Sequence, residues 1–159
     1  IGNFTPSKAK TLIKKISKIL GEKSYLVIGV DLKKEKHILE KAYNDSEGIT
    51  AEFNKNILQG LNNLCGSTFN LSNFEHKAFF NKKKNRIEMH LKSNKIHKVD
   101  IMGTEILFKK GETIHTENSY KYSVDEFSKL AESSGYEIEK ILTDDKRFFG
   151  IFCLKIKNH

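Results

Sequence analysis

A carboxylate and a hydroxyl stand two residues apart in the run ETIHTENSYK, at Glu117 and Ser119. If that run is a strand, both side chains leave the same face, where a carboxylate and a hydroxyl together can bond a ring N–H. On a solvated face the same pair does nothing. Asn3 lies just before a predicted helix, and just after a strand end if the chain extends upstream, so its amide either meets a ligand or caps a turn. Tyr43 closes another predicted helix, where its ring alone can staple the turn. Met89, in RIEMHL, falls on the face opposite Glu88 and His90 and by pattern is an ordinary core residue.

Other chemistries find no support in the spacing. No His-x-x-x-His or Cys-x-x-Cys occurs, His76 stands alone, and His90 and His97 fall in different strands, so no metal site is predicted. Cys65 and Cys153 are far apart and read as free thiols of a reducing compartment. No nucleophile elbow is present, and Ile28-Gly29-Val30 is no phosphate loop. A doubly wound fold normally binds its cofactor at a glycine-rich turn after a strand, and this sequence has none.

These residues need elements to hold them. Thr5-Pro6 begins a helix through Leu20, with Leu12, Ile13, Ile16, Ile19 and Leu20 as its apolar stripe and Gly21 as its stop. SYLVIGVDL (24–32) is a continuous apolar run, predicted as a strand covered on both faces. A helix with Ile38, Leu39 and Tyr43 inward follows. Another runs from about Thr50 to Cys65 with Phe53, Ile57, Leu58, Leu61 and Leu64 inward, and 67–74 reads as a loop. From His76 the pattern alternates, with a hairpin break near 82–85, further strands at 104–109 and 112–121, and a turn at Lys110-Gly111. Ser123 and Glu126 form a capping box for a helix closed by Gly135, and two strand-like runs joined by 144–147 end the chain. A helix and a terminal pair of strands suit the last third of a doubly wound α/β sheet with an antiparallel edge, and the intervening region would lie over the carboxyl ends of its strands.

The 159 residues are one domain's worth of chain, enough to bury about two thirds of its surface. Charged residues are 30% and apolar ones 38%, an ordinary globular mix, and no apolar run is long enough to span a membrane. The net charge of +8 invites a nucleic-acid reading, but every basic residue except Arg86 and Arg147 is lysine, which lacks the bidentate fork of arginine. Ile1-Gly2-Asn3 has neither an initiator Met nor the pattern of a signal peptide and reads as the interior of a longer protein.

Several segments, taken in order, resemble one family: IGNFTP (1–6), LVIGVDLKK (26–34), AYNDSEGITAEFNKNIL (42–58), FEHKAFFN (74–81), NRIEMHL (85–91), HTENSYKYS (115–123) and FFGIFCL (148–154). Together they resemble the C-terminal portion of the histidine-specific, S-adenosylmethionine-dependent methyltransferases of the ergothioneine pathway. The resemblance implies a class I, Rossmann-like methyltransferase core with an inserted α+β substrate-binding region. The core is expected over 1–43, the insertion over 44–121, and the closing helix and strand pair over 122–159. It also implies roles. Asn3 would hold the amino-acid backbone of the substrate, Tyr43 its carboxylate, and Thr50 and Phe53 would line the same pocket. Met89 would pack near the imidazole, and Glu117 and Ser119 would reach its nitrogens.

The implied reaction transfers a methyl group from S-adenosylmethionine to the α-amino group of a free amino acid, most simply histidine. Glu117 argues against a plain indole; another amino acid, a small amine, or a basic binding module without catalysis are the competing readings. The family's cofactor loop would lie upstream of position 1, so no cofactor-binding residue is expected here and the chain alone is expected to be inactive. A small-molecule substrate, a cytoplasmic setting, no nucleic acid, no membrane, and self-association through an exposed sheet edge complete the expectations.

Overall fold

Thr5 caps helix α1 (Pro6–Leu20), accepting a hydrogen bond from the Lys8 backbone N–H at 3.3 Å, and Pro6 sits in the first turn where its missing N–H is harmless. This computed structural model describes residues 1–157. Gly21 ends α1 at φ 77°, a region that disfavours a side chain. Its buried stripe is narrower than expected, since Ala9 and Ile13 are buried while Ile19 is 82% exposed.

Contacts divide the chain into two compact units. The first comprises 1–35, 82–86 and the described chain from Asn118 onward; the second comprises 36–81 and 87–117. In the first, β1 (Tyr25–Asp31) pairs antiparallel with β8 (Phe149–Ile156), which pairs antiparallel with β7 (Tyr136–Thr143), in the order β1-β8-β7. The mixed α/β class is the one the sequence implies, but the antiparallel strand β8 lies between β1 and β7 rather than at the edge of the described sheet.

One face of this sheet buries Val30, Phe152, Leu154 and Ile156 with Ile13 of α1 and Phe127 and Ala131 of α4 (Val124–Glu132). Ser123 and Glu126 close the reciprocal capping box expected of α4. Tyr136 is fully buried against α1, its hydroxyl 3.5 Å from the Ile13 carbonyl, and burial raises its pKa.

The expectation that β1 is covered on both faces fails. Tyr25 and Val27 remain 54% and 64% exposed while Val30 is buried, so among the described residues the strand is half-covered. A continuous apolar run cannot distinguish a strand with two covered faces from one whose second apolar face stays open. Gly29 has a packing reason in the same strand: a Cβ there would sit 2.6 Å from the Phe149 ring.

In the second unit, α2 (Lys36–Tyr43) and α3 (Ile49–Cys65) accompany β2 (Phe74–Asn81) and β3 (Arg86–Ser93), a hairpin pair β4 (His97–Ile101) and β5 (Thr104–Phe108), and β6 (Thr113–Tyr120). A short 3-10 turn at Leu71–Asn73 interrupts the expected loop. Met102 and Gly103 both take positive φ, 54° and 81°, the conformation that lets two residues join β4 and β5. Phe69, Phe74 and Phe108 pack around Leu58, Leu91 and Val99 with ring centroids 5.3–6.2 Å apart, Phe74 and Phe108 edge-on and Phe69 tilted against both. A second cluster holds Leu39, Ala78, Ile87 and Met89, with Tyr43 and Phe80 against it.

The inward stripe expected for α3 is mostly wrong. Leu58 is buried, but Phe53, Ile57 and Leu64 are exposed, and the other fully buried position is Asn54. Helical periodicity fixes which residues share a face, not whether a neighbouring element covers it.

Candidate functional site

Strand β6 runs from the second unit into the first between Glu117 and Asn118, so the expected site residues are divided between the two. In the first unit lie Asn3 and Ser119. The Gly2 carbonyl accepts from the Tyr120 N–H at 2.7 Å, and a Cβ at Gly2 would stand 3.2 Å from the Tyr120 carbonyl oxygen and 3.4 Å from Ser119 Oγ. A side chain at Gly2 would thus crowd the approach of the segment bearing Asn3 to Ser119. Asn3 itself is exposed and Ser119 is buried.

Beneath Ser119 is a charge that the sequence did not single out. Lys121 Nζ has a fully buried side chain, donates to Ser119 Oγ at 2.8 Å, and pairs with Asp31 Oδ2 at 2.5 Å. Asp31 also meets Lys34 at 2.7 Å. Two residues apart on one strand face, Ser119 and Lys121 share a side, and Asp31 comes from the end of β1. Arg86 donates to the Tyr120 hydroxyl at 2.6 Å and is likewise buried, so one of the chain's two arginines serves the interior. Next to this group an open cavity of about 710 Å³ is bordered by Lys10, Lys84, Tyr120, Lys121 and Lys129.

The second unit holds Tyr43, Thr50, Phe53, Met89 and Glu117. Tyr43 and Met89 share one apolar cluster. Asp45 anchors the start of α3, its carboxylate accepting from the Ile49 and Thr50 N–H groups at 2.7 and 2.9 Å. These hydrogen bonds, above all those with Thr50, hold its pKa down at about 2. Phe53 is 62% exposed.

A buried polar chain ties these parts together. The Thr116 hydroxyl donates to Asn54 Oδ1 at 2.6 Å and lies 3.0 Å from the Met89 carbonyl. The Asn54 amide N–H meets His76 Nδ1 at 2.9 Å, and His76 Nε2 meets the Tyr43 carbonyl at 2.8 Å. With Asn54 donating, His76 accepts at Nδ1 and donates from Nε2, so a single neutral tautomer satisfies both contacts. Asn54 and His76 were missed by spacing alone, although Asn54 directly follows Phe53 in the AYNDSEGITAEFN segment.

Thr116 points toward α3, so its neighbours His115 and Glu117 leave the opposite face of β6. Glu88 and His90 share that opposite face, since the His90 ring stacks on His115 at 4.5 Å. Met89 lies in the core on the α2 side, on the other face of the sheet from Glu117. Burial holds the His90 imidazole below its ordinary pKa, while the adjacent Glu88 carboxylate pulls the other way.

Comparison with known proteins gives this geometry a context. A family model described as histidine-specific methyltransferase, SAM-dependent, matches residues 1–156. The chain is 32% identical over 153 residues to histidine N-alpha-methyltransferase of Mycolicibacterium smegmatis, covering 95% of this chain and 48% of that protein. Over 151 residues it is 29% identical to ergothioneine biosynthesis protein 1 of Neurospora crassa, covering 86% of this chain and 16% of that protein. Among solved structures, an S-adenosylmethionine-dependent methyltransferase from Clostridium acetobutylicum aligns over 96% of this chain and 52% of its own, with TM-score 0.48 and 10% identity. The chain thus spans about half the length of the bacterial relative it matches.

Proposed function

The chain belongs to the family of histidine-specific, SAM-dependent methyltransferases, and on that basis we propose that it supplies the acceptor side of an enzyme methylating the α-amino group of free histidine. S-adenosylmethionine is the methyl donor in this reading. Its main binding site is assigned to the part of the bacterial relative that this chain does not span, so no transfer is expected of the 159 residues alone.

The observation that carries the substrate assignment is the match of residues 1–156 to a family described as histidine-specific. An ammonium has donors only, so Ser119 Oγ accepts from Lys121, and a hydroxyl that accepts still carries one O–H donor. Glu117, an ionised carboxylate, accepts only. One donor and one acceptor match the two nitrogens of a neutral imidazole, which carries a single N–H and a single lone pair. A ligand without the second ring nitrogen would leave one protein group unpaired, a strong basis for discrimination. The resemblance assigns Asn3 and Tyr43 to the amino-acid end of the substrate, and Thr50 and Phe53 to substrate contact. Met89 contributes from the core, by packing the strand that bears Glu88 and His90.

Methyl transfer from a sulfonium is an in-line displacement: the amine lone pair forms the C–N bond as the C–S bond breaks. The amine must be neutral and aimed at the methyl carbon, so orientation by these residues supplies much of the acceleration. Cys65 and Cys153 are free, in keeping with a reducing, cytoplasmic setting, and no helix among the described residues is long and apolar enough to cross a membrane. No nucleic-acid role is proposed.

The test is a methyl-transfer assay by mass spectrometry on the protein carrying this chain, with S-adenosylmethionine and a panel of free amino acids. Methylated histidine, lost on Glu117→Ala, is the expected result. Transfer to a different amino acid overturns the substrate, and no transfer to any amino acid overturns the reading. Turnover by the 159-residue chain alone would refute the division of labour.

A further inference from the structure

Three residues that the methyl-transfer reading leaves unused come together on one sheet face of the second unit. Glu88 and His90 are two apart on β3, and His115 projects from β6. One donor atom from each lies within 4.8 Å of the others. Glu88 is 7% exposed, Asn81 Nδ2 donates to its Oε1 at 3.0 Å, and its Oε2 lies 3.5 Å from His90 Nε2. His90 Nδ1 is buried with no hydrogen-bond partner. His115 is exposed, and its Nε2 lies 3.1 Å from the Glu117 carbonyl.

We propose that Glu88, His90 and His115 form a binding site for a first-row divalent transition metal ion, of the zinc, cobalt or nickel type. Two imidazoles and one carboxylate are the donor set such ions select, whereas magnesium and calcium demand oxygen donors. Three protein ligands leave further positions to water. Alternation on β3 puts the carboxylate and the first imidazole on one face, and the neighbouring strand adds the second imidazole. Buried Glu88 and half-buried His90 form the fixed side, held by Asn81 and by the Phe79 ring stacked on His90 at 5.3 Å.

His115 is the arm that closes. The His90 and His115 rings lie nearly parallel, 10° apart, so their lone pairs do not converge as they stand. Metal–nitrogen bonds of about 2.0–2.1 Å in a tetrahedral site bring donors to about 3.4 Å from one another. Metal binding therefore requires the exposed His115 ring to turn about its side-chain torsions, giving up its contact with the Glu117 carbonyl.

The experiment is titration of the reduced 159-residue chain with Zn²⁺ by calorimetry, and with Co²⁺ by visible absorption. The expected result is one equivalent bound, with a tetrahedral Co²⁺ spectrum and no thiolate-to-cobalt charge-transfer band, which separates this site from Cys65 and Cys153. His115→Ala should weaken binding by more than the roughly 10- to 100-fold typical of losing a supporting hydrogen bond at a metal site. Its exposure makes that substitution compatible with folding, to be checked by far-UV circular dichroism. Glu88→Gln should weaken binding similarly, while His37→Ala on α2 should leave it unchanged. No saturable binding, or binding that survives His115→Ala, overturns the site.

Discussion

Replacing Lys121 by Met tests whether the buried charge under Ser119 is integral to the first unit. Methionine keeps much of the apolar stem, so the substitution removes chiefly the ammonium, its 2.5 Å pair with Asp31 and its 2.8 Å bond to Ser119. Breaking a buried pair by deleting one partner costs about 3–5 kcal/mol. Asp31 has a side chain 34% exposed and keeps Lys34 at 2.7 Å, so water and a second cation offset part of that loss. The lower end, about 3 kcal/mol, is therefore expected. A chain of this size loses roughly 2–4 °C of Tm per kcal/mol, which places the fall at about 6–12 °C. The assay is urea and thermal unfolding followed by far-UV circular dichroism. Asp31→Asn combined with Lys121→Met should recover part of the loss, because the Asp31 carboxylate no longer stands without its buried partner, while Lys34 gives up its own pair with Asp31. A single-variant loss below about 1 kcal/mol, or a double variant that loses the plain sum of its singles, refutes the reasoning.

Two further expectations follow from local chemistry. Asp45 is held at about 2 against an ordinary 3.8, so the folded state favours its ionised form and its contribution to the start of α3 is fully present above the ordinary value. That contribution is lost as pH falls from about 3.8 through about 2. An NMR titration of the Ile49 and Thr50 amides should show a midpoint near 2, absent in Asp45→Ala; a midpoint near 3.8 would count against the assignment. The chain by itself should also self-associate through β1. Its outer edge has no partner among the described strands, and Tyr25 and Val27 are exposed beside it. Concentration-independent monomer in sedimentation velocity would rule this out.

Local signals made the elements legible. Thr5-Pro6, Gly21, the Ser123/Glu126 capping box and the turn before β6 all specify backbone conformation within a few residues, and each appears as expected. Burial was less legible, because it depends on what else packs nearby. The apolar runs of β1 and α3 read as covered, yet Val27, Phe53, Ile57 and Leu64 are exposed. Conversely Asn54, a polar residue on α3, is 3% exposed because Thr116, His76 and the His90 carbonyl give it hydrogen-bond partners.

Chemistry assembled across strands was the least legible of all. Glu117 and Ser119 could be paired from their spacing, since side chains two apart share a strand face. Lys121 continues the same alternation, but nothing local says that a lysine so placed is buried; that requires Asp31, 90 residues away in sequence, to sit within 2.5 Å. The same holds for Glu88 and His90, which spacing puts on one face, and His115, which joins them only because β3 and β6 are neighbours in the sheet. Motifs built for metal ligation on a helix or in a tight loop announce themselves by short intervals. Ligands recruited from adjacent strands carry no such interval, because strand pairing can bring together residues at any separation the intervening chain allows. Nothing in the spacing links His90 to His115 for that reason. Their separation of 25 residues is long in the chain, while the sheet sets their rings 4.5 Å apart.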